Sequence, residues 1–240
     1  MNKIKAVQSA ELSATPIANN LQRYCDLINS NIRPPVPVKP DDIYIRAMFI
    51  ISDGVNAYGG KFDRVDMPEI ARRFVDSPVL IGHDKGGLPI ARNFWAETVE
   101  KDGGLWIKSY FYWLKQSENA ERLALNIDAG IYKECSVSFI YDTPECSACG
   151  QDIRTCGHQV SRDIHFYYRG VEKILETSLV YRGAIPGTSI TDQLAIDKPN
   201  SGVFRLIPAA SGQFGLASEP NSKTVAARLG GRRFYLVMQE

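Results

Sequence analysis

Three cysteines and a histidine fall within one short stretch, Cys146-x2-Cys149-x6-Cys156-x-His158, and no other feature restricts the fold of this chain as strongly. Three thiolates and an imidazole are the number and kind of ligands that tetrahedral zinc takes. Asp142-Thr143-Pro144, Gly150 and Gly157 give the backbone freedom to wrap an ion. The spacing is not that of a standard finger, and the arm carrying His158 is short. With four protein ligands no coordination position stays open, so a Zn2+ ion here is structural and clips a long loop, 142–163. The competing reading is inert thiols or a redox pair. The chain has five cysteines, an odd number that argues against a disulfide framework.

The loop is flanked by strands. Before it, Glu134-Cys135-Ser136-Val137-Ser138-Phe139 alternates, with Cys135, Val137 and Phe139 on one face and Glu134, Ser136 and Ser138 on the other. After it come a short strand candidate at 165–168 and a better one at 174–180, with Ile174, Glu176, Ser178 and Val180 sharing a face. Upstream, 43–51 is apolar and β-branched. Residues 77–84 read as a buried strand ending at His83, and 90–99 with 105–113 as a hairpin turning at Asp102-Gly103-Gly104. Pro68 opens a short helix to about Phe74. Ser117 caps another, with a stripe of Ala120, Leu123, Ala124 and Ile127 and a stop at Gly130. Many short strands, few helices and no βαβ rhythm indicate an all-β or β-rich barrel or sandwich.

Residues 1–40 read as an arm. Thr15-Pro16 starts a helix with Ile17, Leu21, Tyr24, Cys25 and Ile28 on one face, which either docks on its own domain or grips a partner. Four prolines between Asn31 and Pro40 form a stiff linker and boundary. Residues 41–196 form the main domain. Residues 197–240 are a Gly/Ser/Pro-rich tail with an apolar island at 204–208 and a strand candidate at 234–238. The net charge is +1, with no Lys/Arg block, so no nucleic-acid partner is expected. No apolar run approaches the roughly 20 residues of a membrane span, and the N-terminus lacks a signal peptide's apolar centre. The expected compartment is therefore the cytoplasm, where thiols stay reduced.

Candidate chemistry centres on Ser136, exposed on the polar face of a fixed strand. His83, at a strand end, can act as its base, and Glu176, on a largely apolar strand face, as the acid that orients the imidazole. A serine hydroxyl becomes a nucleophile when an imidazole accepts its proton and a third group fixes the tautomer. The alternatives are definite. Asp84 competes as orienter; Ser138 shares the face of Ser136 and is the fallback nucleophile. Cys135 is sent to the core by alternation. Glu176 could instead pair with a cation such as Arg182, and His83 could be a satisfied structural group. His158 belongs to the metal cluster, and His165 has no evident partner.

Pro78-Val79-Leu80-Ile81-Gly82-His83-Asp84, then Cys135-Ser136-Val137-Ser138-Phe139, then Glu176-Thr177-Ser178-Leu179-Val180-Tyr181-Arg182-Gly183-Ala184 resemble, in order, three motifs of the tailed-bacteriophage prohead proteases. Ser52-Asp53-Gly54-Val55-Asn56 is similar to that family's early loop, and the cysteine cluster to an insertion in some members. The resemblance covers about residues 43–190. It implies a β-rich α+β fold like that of the herpesvirus assembly proteases: a compact antiparallel β-barrel flanked by helices, here with a zinc-clipped insertion. It also implies a serine endopeptidase with Ser136 as nucleophile, His83 as base and Glu176 as third member. The implied substrates are the phage scaffold protein and the major capsid protein, cut inside the immature capsid (prohead) in the host cytoplasm, with self-cleavage and a homodimer as further expectations. Two departures stand out. Ser138 occupies a position where the family usually has glycine, and the cysteine loop lengthens the gap between Ser136 and Glu176. Oxyanion donors are expected to be backbone amides, or arginines such as Arg162 or Arg182. Pro208-Ala209-Ala210-Ser211-Gly212 is a cleavable-looking stretch. The rival readings are a non-enzymatic, zinc-stapled capsid assembly or scaffold module descended from such a protease, and a different hydrolase on a β-rich fold.

Overall fold

The computed structural model describes residues 16–192 and 194, together with the strand backbone of 205–208, 224–229 and 232–237. Thr15 and residues 209–212 lie outside the described residues. The chain forms two units, divided after Leu194.

The first unit is a β-rich sheet, strongly curled into a half-barrel, with few helices. Its elements are α1 (Pro16–Asn31), β1 (Ile43–Ser52), β2 (Gly60–Lys61), α2 (Met67–Arg72), β3 (Pro78–Ile81), β4 (Ala91–Lys101), β5 (Gly104–Leu114), α3 (Ala120–Asp128), β6 (Glu134–Cys146), β7 (Phe166–Val180) and β8 (Ser189–Thr191). The strand order is β2-β7-β3-β4-β5-β1-β8, with β6 paired to β7. The sheet curls until its ends approach: the Ile190 N–H donates to the Lys133 carbonyl at 3.1 Å. The second unit contains a three-stranded antiparallel sheet, with β11 (Arg232–Val237) between β9 (Arg205–Pro208) and β10 (Thr224–Leu229).

The β4–β5 hairpin forms where its turn residues place it. Asp102 and Gly103 both have positive φ, 53° and 78°, as a two-residue turn matched to strand twist requires. The expected stripe of α3 (Ala120, Leu123, Ala124, Ile127) is buried, and the Trp113 indole N–H donates to the Ala120 carbonyl at 3.2 Å. Its N-cap is Asn119, while the Ser117 hydroxyl donates to Leu114 O instead. Tyr24, Cys25 and Ile28 of α1 are buried, with Tyr24 against Phe94 and Tyr110 of the sheet. At about 1.5–3 kcal/mol per buried large apolar side chain, that face holds the helix on its own unit. The proline-rich stretch after it is pinned: the Asn29 amide accepts from Val38 N–H and donates to Val38 O.

The structure corrects the sequence reading at three places. Residues 142–146 are not loop but the end of β6, with Thr143 and Pro144 paired to Arg169 and Tyr168. The two strand candidates after the loop are one strand, β7, running through Gly170 at φ 61°. Register shifts at Ser138/Phe139 and Ile140/Tyr141 let these long strands bend with the sheet. The sheet is also not wholly antiparallel, because β2 and β3 both pair in parallel with β7. That pairing is possible because the intervening chain is long enough to return β7 in the same direction.

A buried polar knot fastens the middle of the sheet. The Asn93 side-chain N–H groups donate to Ser77 Oγ (3.0 Å) and Thr177 Oγ1 (2.9 Å), and the Ser109 hydroxyl donates to Asn93 Oδ1 (2.8 Å). Asn93, Ser109 and Thr177 are fully buried. Among the described residues no helix is long and apolar enough to cross a membrane.

Candidate functional site

β6 and β7 lie antiparallel, with Ser136 opposite Ser178 and Ser138 opposite Glu176. Directly opposed residues share a face, so these four side chains form one polar patch. Thr177, between Glu176 and Ser178, points the other way into the Asn93 knot. On the far side of β7, β3 runs parallel with Leu80 against Ser178. It ends in a tight turn: the Asp84 N–H donates to Ile81 O at 3.1 Å, and Gly82 and His83 have φ of 62° and 61°. Left-handed backbone is ordinary for glycine but costs a residue such as histidine about 1–3 kcal/mol, and such strain clusters at functional sites. The turn brings the His83 imidazole back over β7.

His83 Nδ1 lies 2.7 Å from Glu176 Oε1. Glu176 is 2 % exposed. A buried carboxylate is expensive unless hydrogen-bonded, and here each oxygen has a partner: the Ser178 hydroxyl donates to Oε2 at 2.7 Å. Among the described residues no arginine bonds to Glu176; its partners are His83 and Ser178 rather than Arg182. Asp84 turns away and accepts from Gly86 N–H at 2.8 Å, so Glu176 is the acid at the ring.

The two serines differ. Ser138 Oγ is 3.3 Å from His83 Nδ1, the nitrogen that already faces Glu176. Ser136 makes no hydrogen bond to His83, but lines the same pocket. This pocket, of about 210 Å³, is rimmed by His83, Ser136 and Ser138 and walled by Ile50, Phe62, Val137, Phe139, Tyr168 and Ile185. Its lining contains no aspartate, glutamate, lysine or arginine. On the opposite side of β6, Cys135 is fully buried; burial pushes its thiol pKa well above the ordinary value, as befits a core residue. The Gly183 N–H is engaged by Glu134 Oε2 at 2.7 Å, and Arg162 and Arg182 are exposed and do not line the pocket.

The cysteine–histidine cluster is assembled at the other end of the same hairpin. One ligand atom each from Cys146, Cys149, Cys156 and His158 lie within 4.8 Å of one another, close enough for a single ion to reach all four. The first turn is shaped for this, with the Gly150 N–H donating to Cys146 O at 2.8 Å and Gly150 at φ 71°. Burial raises the Cys146 thiol pKa, but hydrogen bonds from the Ala148 and Cys149 amides and the Cys149 and Cys156 thiols together outweigh it and leave it below its ordinary value. His158 Nδ1 is buried with no hydrogen-bond partner, as a nitrogen reserved for a metal would be. The cluster can therefore hold a metal ion. His165 stays outside it and stacks edge-on against Tyr167.

The alternation of β7 already puts Ser178 beside Glu176. Its contact with the His83 backbone has no local signal, because it depends on the β3–β7 register. Comparison of the chain with models of known protein families, with curated proteins and with solved structures finds no match.

Proposed function

We propose that the chain is a serine endopeptidase of the phage prohead-protease kind, on a fold related to the herpesvirus assembly proteases. The observation that carries this reading is the 2.7 Å contact between His83 and a buried Glu176, at the edge of a pocket that also holds Ser136 and Ser138. The three segments that contribute these groups are the three whose order and motifs resemble that family.

In this reading the Nδ1–H of His83 is donated to Glu176, which leaves the Nε2 lone pair for the nucleophile. Ser138 sits at the wrong nitrogen for that task. Ser136, on the same face and rimming the same pocket, takes it. Its Oγ attacks the peptide carbonyl carbon while its proton passes to Nε2. The tetrahedral intermediate collapses, the C–N bond breaks, and the Nε2 proton goes to the leaving amine. Water then repeats the sequence on the acyl-enzyme, with His83 again as base. The substrates are scaffold and major capsid protein inside the immature capsid in the host cytoplasm. The ion in the cysteine cluster is zinc, held by four protein ligands and so structural.

The missing Ser136–His83 hydrogen bond favours one rival, a non-enzymatic zinc-stapled assembly module of the same descent. Co-expression with scaffold and capsid protein separates the two. Under the protease reading Ser136→Ala abolishes processing with the fold intact, Ser138→Ala retains it, and a fluorophosphonate labels Ser136. Unchanged processing by Ser136→Ala would refute the assignment of the nucleophile.

A further inference from the structure

The hydroxyl of Ser178 touches both halves of the His83–Glu176 pair. It accepts the backbone N–H of His83 at 3.1 Å and donates to Glu176 Oε2 at 2.7 Å. Ser178 is fully buried, so water does not compete for either contact. A hydroxyl has one hydrogen to give, and a carboxylate can only accept. The single proton of Ser178 is therefore committed to Glu176, and one of its lone pairs to His83. Both directions are fixed by chemistry alone.

Two consequences follow. The first concerns the backbone. His83 sits in a left-handed turn next to Gly82, whose own N–H is held by Leu179 O at 2.8 Å. The Leu179 carbonyl and the Ser178 hydroxyl thus catch consecutive amides and set the point from which the imidazole projects. The second concerns the carboxylate. With Oε2 occupied by Ser178, Oε1 is the oxygen presented to Nδ1, and Nδ1 must carry a proton to bond with it. One oxygen atom on β7 thereby registers the ring, the acid and the tautomer together.

We infer that Ser178 is a positioning residue, which holds the His83–Glu176 pair in the tautomer with the proton on Nδ1 and the lone pair on Nε2. Its bearing on catalysis rests on the serine-peptidase reading; the tautomer itself does not.

The experiment uses the full chain with its metal bound and its histidines labelled with 15N. Long-range 1H–15N spectra report which ring nitrogen is protonated, and the three histidines are told apart with His83→Gln. The expected wild-type result is a protonated Nδ1 and an unprotonated Nε2 on neutral His83. The opposite tautomer in the wild type overturns the proposal without any variant. In Ser178→Ala the His83 signals are expected to move to a mixture of tautomers, and in Ser178→Thr, which keeps the hydroxyl, to return to the wild-type pattern. A Ser178→Ala spectrum identical to wild type also overturns it. On a peptide substrate Ser178→Ala is expected to lower kcat about 10–100-fold with KM held within a factor of two, the signature of an interaction spent on the chemical step. If the wild-type chain hydrolyses neither peptide nor scaffold and capsid protein while the tautomer results hold, the peptidase reading fails and the positioning role survives.

Discussion

Replacing Asn93 by leucine isolates the energetic worth of the polar knot, because leucine keeps the volume and removes every side-chain hydrogen bond. Some partners recover. Ser77 Oγ still donates to Phe74 O at 2.7 Å, and Ser77 O still accepts the Asn93 backbone N–H at 2.9 Å. Thr177 Oγ1 loses its donor, and the Ser109 hydroxyl loses Asn93 Oδ1, retaining only Trp95 O at 3.5 Å. Two buried hydroxyls left short of partners cost about 1–3 kcal/mol each, so Asn93→Leu is expected to destabilise the protein by about 2–6 kcal/mol. For a unit of this size that lowers Tm by roughly 4–24 °C. Equilibrium urea unfolding at constant metal concentration is the assay, read as a fall in midpoint at unchanged slope. The informative arm is the triple variant Asn93→Leu, Ser109→Ala, Thr177→Val. Removing both ends of a buried hydrogen bond costs little, so the triple variant should recover at least half of the loss. A single variant within about 0.5 kcal/mol of wild type, or a triple variant less stable than the single, would show that the knot is not what fastens these strands.

Two further outcomes are expected. Purified protein is expected to carry one equivalent of zinc, measured by elemental analysis, and Cys146→Ser to lose it; metal-free wild-type protein would show that the cluster is not a zinc site. The native protein at pH 8 should resist iodoacetamide at Cys135, whose thiol burial keeps protonated, while Cys149 becomes reactive once metal is chelated. Mass spectrometry locates the adducts, and rapid native alkylation of Cys135 contradicts its place in the core.

What could be read from the sequence was whatever local chemistry decides. Asp102-Gly103 dictates its turn, and the 3.6-residue spacing of Ala120, Leu123, Ala124 and Ile127 dictates its buried face, whatever the rest of the chain does. Period-two alternation likewise put Glu176 and Ser178 on one face and Cys135 on the face opposite Ser136. The long hairpin was harder. Pro144 and Gly170 are breakers by local propensity, yet they lie within β6 and β7, because a partner strand and bulges absorb them. The polar knot and the grip of Ser178 on His83 join residues 16 and 95 positions apart, and no window of sequence contains both partners.

The parallel pairing of β3 with β7 carries a consequence for biosynthesis. His83 leaves the ribosome long before Glu176, and the β3–β4 pairing available meanwhile supplies neither the Leu179 carbonyl nor the Ser178 hydroxyl that hold its turn. A nascent or truncated polypeptide that stops short of β7 contains both the imidazole and the Ser136 hydroxyl, but lacks the strand that aligns them. The His83–Glu176 contact, and anything that depends on it, must therefore wait until β7 has been translated and inserted beside β3.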